Sequence, residues 1–291
     1  MEGSVKEILA DINFQKGFGV MGACGDEFSY RIFRELKDPR NPDASFDWRI
    51  AQWASHHSLA KEYKIYETAD AVVYENISKR ISCYRTGGIQ LECFTSKEYE
   101  RPRKSGEAWV HLLIEQVLQG QQRVHFREMK HLYMSLDFTV TKCEQKMREE
   151  EYDPGLHAGQ AVWYITVENE LSEEVTPEGR PDYFWFGMPV FDSRMTANDD
   201  NYFLDKGTKK LIYCIGSNTL YGGATQTGKR YRWTYDILPA VRKAFGIARE
   251  NEFLPGAEFD HMVIGSTNFG WEMPGTFDGS IRAEKISIAY E

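Results

Sequence analysis

Apolar residues fall on every second position of the segment His131–Cys143. The alternating apolar positions are Leu132, Met134, Leu136, Phe138 and Val140. Successive side chains of a β-strand point to opposite faces, whereas a helix would scatter these residues around its axis. The pattern therefore predicts a long antiparallel strand near the middle of a sheet, with one face on a hydrophobic core and the other facing water or a ligand.

Two further segments show the same period, residues 160–170 and 182–192. In the first, Trp163, Ile165 and Val167 share one side, and Tyr164, Thr166 and Glu168 share the other. In the second, Pro189 cannot donate a backbone hydrogen bond to a neighbouring strand, so its end is predicted to lie at an edge or a bulge.

Shorter β-rich runs cover residues 8–14, 209–215, 230–237, 261–264 and 280–290, and three more lie within residues 70–96. Thr86-Gly87-Gly88 predicts a hairpin between the last two of those three. Residues 30–36 fit a strand or a short helix. Residues 107–118 have the length of a helix, but they alternate and are flanked by glycines, which favours a strand. In the last run, Ile281 and Ile286 share a face only if Glu284-Lys285 forms a bulge.

The clearest helix is predicted over residues 239–250, because Pro239 lies near its start and apolar residues recur with helical spacing. About ten strands, without the strand-helix alternation of parallel folds, predict an all-β, mainly antiparallel, two-sheet jelly-roll-type β-sandwich with one or two peripheral helices. We expect one domain over residues 1–291, with a loop or insertion at residues 37–68 that includes Trp53, His56 and His57.

The chain carries a net charge of −9 and has a pI near 5.4, which argues against nucleic-acid binding because phosphate recognition needs a surplus of Lys and Arg. No run approaches the roughly 18 apolar residues of a membrane span, so we expect a soluble protein without membrane partners. The first residues lack the apolar core of a secretory signal. They predict either a cytoplasmic protein or a secreted one whose signal is absent from this sequence.

The five cysteines are widely spaced and include no CxxC pair, and no HExxH motif is present. We therefore expect neither a metal site nor a cofactor, and mostly reduced thiols. Cys83 and Cys93 flank the Thr86-Gly87-Gly88 turn, so one disulfide across that hairpin stays open.

The early segment ADINF, the late segment MVIGSTNFGWEMPGTFDGSIRAEKISIAY and the aromatic strands between them resemble concanavalin A-like and related jelly-roll proteins of carbohydrate metabolism. The resemblance implies that the first and last strands pair and that sugars lie across one sheet face. The paired-glutamate strand signature (E-x-D-x-x-E) of the best-known glucanases of this fold is absent.

Aromatic residues make up 14% of the chain. Flat indole and phenol rings stack on the apolar faces of sugar rings. Trp163, Tyr164, Trp185 and Trp271 are the predicted carbohydrate-binding residues, and the alternative is that these rings fill the core.

Glycosidic hydrolysis commonly uses two carboxylates, and burial beside an indole raises the pKa of a carboxyl group toward that of a general acid. Asp137, Glu168, Asp192 and Glu272 are the predicted catalytic residues, and the alternative is solvent-facing charge on amphipathic strands. The leading hypothesis is a β-sandwich that binds an oligo- or polysaccharide, as a glycoside hydrolase or a catalytically silent relative. The other hypothesis is a structural or protein-interaction module whose flat sheet face forms a homo-oligomer.

Overall fold

The computed structural model describes residues 4–23, 31–173, 175, 180–205 and 208–291. Within these residues the chain forms seventeen β-strands in two sheets, two α-helices and several 3-10 turns. No helix among the described residues is both long enough and apolar enough to span a lipid bilayer.

Sheet A is antiparallel throughout and has eight strands. They are β1 (Lys6–Glu7), β5 (Lys64–Glu67), β6 (Ala71–Glu75), β7 (Lys79–Tyr84), β8 (Ile89–Phe94), β10 (Leu132–Gln145), β15 (Arg230–Asp236) and β17 (Phe277–Tyr290). Their order is β15-β10-β17-β8-β7-β6-β5, and β1 pairs with the end of β17. The first and last strands of the chain are thus neighbours.

Sheet B has nine strands, namely β2 (Phe18–Met21), β3 (Ile32–Leu36), β4 (Trp48–Ala51), β9 (Val110–Val117), β11 (Gln160–Asn169), β12 (Tyr183–Asp192), β13 (Asn201–Leu204), β14 (Leu211–Cys214) and β16 (Met262–Met273). Their order is β13-β14-β12-β11-β16-β9-β4-β2-β3. The pairs β2/β4 and β12/β14 are parallel, and the other pairs are antiparallel.

The inner faces of the two sheets form one hydrophobic core. Leu136 and Phe138 of β10 contribute from sheet A, and Ile165 of β11 contributes from sheet B. The indole of Trp271 crosses between the layers and donates a hydrogen bond of 3.0 Å to the Leu91 carbonyl of sheet A. The predicted jelly-roll-type sandwich is confirmed.

Helix α1 (Ser217–Tyr221) is short, and helix α2 (Leu238–Glu250) has proline in its first turn, where no intrahelical donor is lost. The buried residues of α2 are Leu238, Val241, Ala244 and Ala248, which recur at helical spacing. This stripe faces the core beside β12, so the predicted helix is peripheral.

Most of the predicted strands are confirmed. Residues 132–145 form the long interior strand β10, and residues 110–117 form strand β9 rather than a helix. The hairpin at Thr86-Gly87-Gly88 joins β7 to β8. A register shift at Glu284 restores Ile286 to the core face of Ile281, and another shift lies beside Pro189.

Two predictions are wrong. Residues 8–14 form a loop, and the last-but-one strand continues well beyond residue 264. Gly265 and Gly270 lie inside β16, where a Cβ at Gly265 would overlap the Glu168 carboxylate and one at Gly270 would overlap the Leu112 carbonyl.

The register of the β7–β8 hairpin also excludes a disulfide across it. Cys83 faces Ile89, and Cys93 faces Lys79, so the two thiols do not lie opposite each other. Both thiols are free and buried. Cys24 lies outside the described residues.

Candidate functional site

Two of the predicted aromatic residues belong to the core and offer no face to a ligand. Trp163 and Trp271 are fully buried between the sheets. The Trp163 indole donates to the Thr267 hydroxyl at 2.8 Å and packs near Trp233 of sheet A. The prediction that these two rings stack on sugars is therefore wrong. The alternating pattern shows which residues share a face of a strand, but it does not show which face the other sheet covers.

Asp137 lies on the outer face of sheet A, on the other side of the sandwich from the cleft described below. Its carboxylate accepts hydrogen bonds of 2.6 and 2.7 Å from Arg230 and one of 2.6 Å from Arg232. The Arg230 contact opposes desolvation and, with Arg232, holds the pKa of Asp137 below its ordinary value. An ionised carboxylate committed to two arginines is a structural group, so the catalytic prediction is corrected here.

Glu168 points to the outer side of sheet B but is closed off from solvent. Arg123 donates to its carboxylate at 2.8 Å, and the Thr166 hydroxyl donates at 3.1 Å. Its carboxylate lies directly over Gly265. A buried carboxylate bound to a guanidinium has no room for a substrate, so Glu168 is also removed from the catalytic candidates.

The outer face of sheet B carries a cleft of about 480 Å³. Leu113 of β9 and Val162 of β11 lie on its floor and belong to a small apolar cluster that is separate from the main core. Of the eight predicted residues, Tyr164, Trp185, Asp192 and Glu272 line this cleft. The cleft thus contains two of the four predicted aromatics and two of the four predicted carboxylates.

A row of four polar side chains runs across adjacent strands at the cleft. Asp192 of β12 faces Gln160 of β11, Gln160 faces Glu272 of β16, and Glu272 faces His111 of β9. The His111 backbone N–H in turn donates to the Trp53 carbonyl at 3.0 Å, which brings the segment after β4 alongside. We call Asp192, Gln160, Glu272 and His111 the cross-strand row.

Asp192 is held in its ionised form. Arg194 donates to both of its carboxylate oxygens, and Gln160 donates to Oδ2 at 2.8 Å. Burial raises the pKa of Asp192, but the Arg194 and Gln160 hydrogen bonds outweigh it and leave the pKa below its ordinary value. Asp192 is therefore a carboxylate at neutral pH and has no proton to give as an acid.

Glu272 has different surroundings from Asp192. Its Oε2 accepts a hydrogen bond of 3.3 Å from the Trp109 indole, and His111 Nε2 lies 3.9 Å from the same oxygen. Among the described residues, no Lys or Arg forms an ion pair with Glu272. Two carboxylates of one row thus differ in that Asp192 has a cationic partner and Glu272 has an imidazole and an indole.

His111 is enclosed by two tryptophans. Its ring stacks on Trp109 at a centroid distance of 5.7 Å and meets Trp53 edge-on at 5.3 Å. Burial lowers the pKa of His111, while Glu272 and the carbonyls of Trp109 and Trp53 act in the opposite direction and do not compensate. The imidazole is therefore neutral at neutral pH.

Tyr164 and Trp185 form the aromatic end of the cleft, with ring centroids 6.1 Å apart at 74°. Residue 187 has to be glycine here, because a Cβ would overlap the Tyr164 ring that lies across it. Burial raises the pKa of Tyr164 well above its ordinary value, and Cys214 adds to the shift. Its hydroxyl stays protonated and offers a hydrogen bond, not a base.

A second cavity, of about 1110 Å³, adjoins the cleft at Trp53, Trp109 and His111. Its wall includes His56 and His57, whose backbone N–H groups donate to the buried Glu98 carboxylate at 2.6 and 3.3 Å. Lys79, also fully buried, donates to the same carboxylate at 2.6 Å. The buried Glu98–Lys79 ion pair thus anchors residues 53–57, the segment that borders both cavities.

The sequence did not identify Trp53, Trp109, His111, Gln160 and Asn268 as site residues, although all five line the cleft. His111 and Trp109 are two positions apart in residues 107–118. Once that segment is taken as a strand, the pattern predicts that their side chains lie on the same face. Trp53 lies in a loop, and no local pattern marks it.

Among the described residues, no group of three or more His, Cys, Asp or Glu side chains is arranged to hold a metal ion.

The chain matches no protein-family model and no curated protein. Solved structures of similar fold include a native family 12 xyloglucanase from Bacillus licheniformis, with 9% identity and a TM-score of 0.46, over 79% of this chain and 97% of that one. A cellulase derived from Cel12A of Rhodothermus marinus has 11% identity and a TM-score of 0.44, over 79% and 96%. An endo-1,4-β-glucanase, CelB2, has 10% identity and a TM-score of 0.45, over 79% and 96%. These likenesses assign no residue role to this chain.

Proposed function

We propose that this protein binds a polysaccharide in the cleft of sheet B and hydrolyses it with Glu272 and Asp192. The observation that carries the proposal is the cross-strand row, which places two carboxylates with unlike surroundings on the floor of one aromatic cleft. Trp185 and Tyr164 border one end, and Trp109 and Trp53 border the other. Aromatic rings with a few convergent polar groups are what a sugar chain requires.

The two carboxylates take different roles in this proposal. Glu272, which pairs with no Lys or Arg that the structure describes, donates its proton to the glycosidic oxygen as the bond to the anomeric carbon breaks. Asp192, kept ionised by Arg194, accepts a proton from the water that adds to that carbon. Asp192 then releases this proton to solvent, and Glu272 takes one back, so the enzyme returns to its starting state.

The register predicts the stereochemical outcome. Asp192 and Glu272 are separated by one intervening strand, so their backbones lie about 10 Å apart at the usual spacing of neighbouring strands. We infer inversion from this strand spacing, because carboxyl groups that keep it leave room for a water, whereas retaining enzymes need a carboxylate spacing of only about 5 Å. NMR of the first-formed anomer tests it, and a retained configuration would exclude Asp192 as the base.

Binding and hydrolysis are tested separately. Affinity electrophoresis against neutral and acidic polysaccharides measures binding, and release of reducing ends measures hydrolysis. We expect Glu272→Gln to lower hydrolysis by roughly 100-fold or more while retaining binding, because the amide keeps the shape and loses the proton. Asp192→Asn should act similarly, and Asp137→Asn on the opposite face is the matched control.

The outcomes separate the enzyme from its alternatives. Retardation without hydrolysis in the wild type would indicate a catalytically silent carbohydrate-binding protein. No retardation by any polysaccharide would favour the interaction-module hypothesis, for which the oligomeric state in solution is the next measurement. Unchanged hydrolysis in Glu272→Gln would remove Glu272 from the mechanism.

A further inference from the structure

A buried amide on the floor of the cleft has no part in the chemistry proposed for the two carboxylates. Asn268 lies on β16, four residues before Glu272 and on the same face of the strand, and it lines the cleft. Its side chain is 4% exposed, and nothing in the described part of the chain makes a hydrogen bond with its Oδ1. A buried acceptor without a partner destabilises the folded protein, so its presence on a cleft floor calls for an explanation.

The neighbours of Asn268 in the sheet are engaged elsewhere. Asn268 faces Tyr164 of β11 on one side and Glu115 of β9 on the other. The Tyr164 hydroxyl bonds with Cys214. The Glu115 carboxylate is itself an acceptor and is bound by Arg49. The side on which the Asn268 amide can meet a new partner is therefore the cleft.

An apolar strip separates Asn268 from Glu272. Gly270 lies between them on β16 without a side chain, and it faces Val162 of β11 and Leu113 of β9. Four residues of strand place the backbones of Asn268 and Glu272 about 13 Å apart. A short apolar strip with a polar group at each end suits a sugar ring, because the faces of the ring are apolar and its hydroxyls lie at the rim.

The charges of the cleft favour an uncharged sugar. Among the described residues that line it, the acidic ones are Asp192, Asp205 and Glu272, and Arg194 is the one Lys or Arg. Arg194 donates to both carboxylate oxygens of Asp192, so its guanidinium is already committed. A uronic acid or a sulfated sugar would therefore meet carboxyl groups without an available cation of the described chain to balance its charge.

We propose that the cleft takes a neutral sugar chain and that Asn268 is a specificity-determining residue, which accepts a hydrogen bond from a hydroxyl of the sugar unit lying over Gly270. This inference rests on the proposed binding of a polysaccharide in the cleft. The last side-chain torsion of asparagine is soft, so a rotation about it turns Oδ1 toward the ligand. A sugar unit without that hydroxyl leaves the amide unpaired, and a site built to bond a hydroxyl rejects such a ligand.

The test compares an apolar replacement with one that keeps an acceptor, Asn268→Leu and Asn268→Asp. Affinity electrophoresis against neutral glucan, xylan, mannan and galactan selects the polysaccharide, and isothermal titration with it measures affinity. We expect Asn268→Leu to weaken binding by roughly tenfold or more and Asn268→Asp to stay within about threefold of the wild type. Asn251→Leu, at the end of α2 and outside the cleft, is the matched control. Wild-type affinity in Asn268→Leu overturns the proposal.

A stability measurement separates recognition from a structural role. Asn268→Leu removes an acceptor that has no partner in the free protein, so we expect its urea midpoint to equal or exceed that of the wild type. The Asn251 amide donates to the Ile247 carbonyl at 2.8 Å, so the same substitution there should lower the midpoint. An Asn268→Leu variant that unfolds at lower urea than the wild type, or that does not fold, overturns the proposal, because the amide is then structural.

Acidic polysaccharides test the charge of the ligand. We expect polygalacturonate to leave the migration of the wild type unchanged. Stronger retardation by polygalacturonate than by every neutral polysaccharide overturns the inference and leaves the proposed hydrolase standing. Binding of a neutral polysaccharide that is lost in Asn268→Leu, without release of reducing ends by the wild type, overturns the hydrolase and leaves the inference standing. Retardation by neither class overturns both.

Discussion

The outer faces of the two sheets carry similar alternating patterns and have different surfaces. On sheet A, Asp137 is bound by Arg230 and Arg232, and Ser135 bonds with Thr234 at 2.8 Å, so polar groups satisfy one another across strands. On sheet B, the cross-strand row lies in a cleft, and no Lys or Arg of the described part of the chain forms an ion pair with Glu272. The difference shows that a carboxylate on the polar side of a strand becomes a functional candidate through its neighbours on other strands.

A similar contrast exists between two neighbouring strands of sheet B, and the largest expected effect tests it. Trp163 is buried between the sheets, whereas Trp185 is half-buried at the cleft. We expect Trp163→Ala to lower the free energy of unfolding by about 3–5 kcal/mol, because it leaves a cavity in the core. Urea denaturation measures it. Trp185→Ala is the matched control, and an equal loss in both variants would contradict the division between core and cleft.

Glu168 is predicted to stabilise the outer side of sheet B rather than to act on a substrate. Glu168→Gln leaves the partly buried Arg123 with Glu170 as its remaining carboxylate partner, so we expect a loss of about 1–3 kcal/mol. Denaturant unfolding measures the loss. Hydrolysis per folded molecule should remain at the wild-type level. Lost activity with unchanged stability would return Glu168 to the catalytic candidates.

Trp185 should matter for binding. We expect Trp185→Ala to weaken polysaccharide binding roughly tenfold, which is about 1.4 kcal/mol, because it removes a ring from the cleft wall. Isothermal titration with the best polysaccharide of the screen measures the change. Tyr66→Ala, on the exposed edge strand of sheet A, is the control. Equal weakening in both variants would show that the cleft is not the binding site.

Local alternation was sufficient to predict the fold class, because it reports which residues share a face of a strand. It correctly predicted that Trp163 and Tyr164 point to opposite faces of β11. The two bulges were predicted from Pro189 and from the spacing of Ile281 and Ile286. It could not tell which face of β11 the other sheet would cover. That choice depends on contacts with strands distant in sequence, such as the approach of Trp271 to Leu91.

The site was less predictable than the fold for the same reason. The cross-strand row joins residues 111, 160, 192 and 272, and its register is set by the pairing of four strands. Arg123 and Arg230, which removed Glu168 and Asp137 from the candidates, lie 45 and 93 residues away from them. Glycine is required within β16 by the close packing of Glu168 and Leu112, which come from other strands of sheet B.

The smallest expected effect belongs to Asp137. Hydrogen bonds from Arg230, and then from Arg232, lower its pKa in the folded protein, so its contribution to stability is present above the ordinary aspartate pKa of about 3.9 and is lost as pH falls through the folded value. Both arginines are more than half exposed, at 52% and 72%, so solvent screening limits the contribution to about 1 kcal/mol or less. Urea unfolding of wild type and Asp137→Asn at neutral pH and near pH 3 measures it. We expect the two proteins to differ at neutral pH and to converge in acid, with hydrolysis unchanged; a difference that persists in acid would show that Asp137 stabilises sheet A through packing rather than charge.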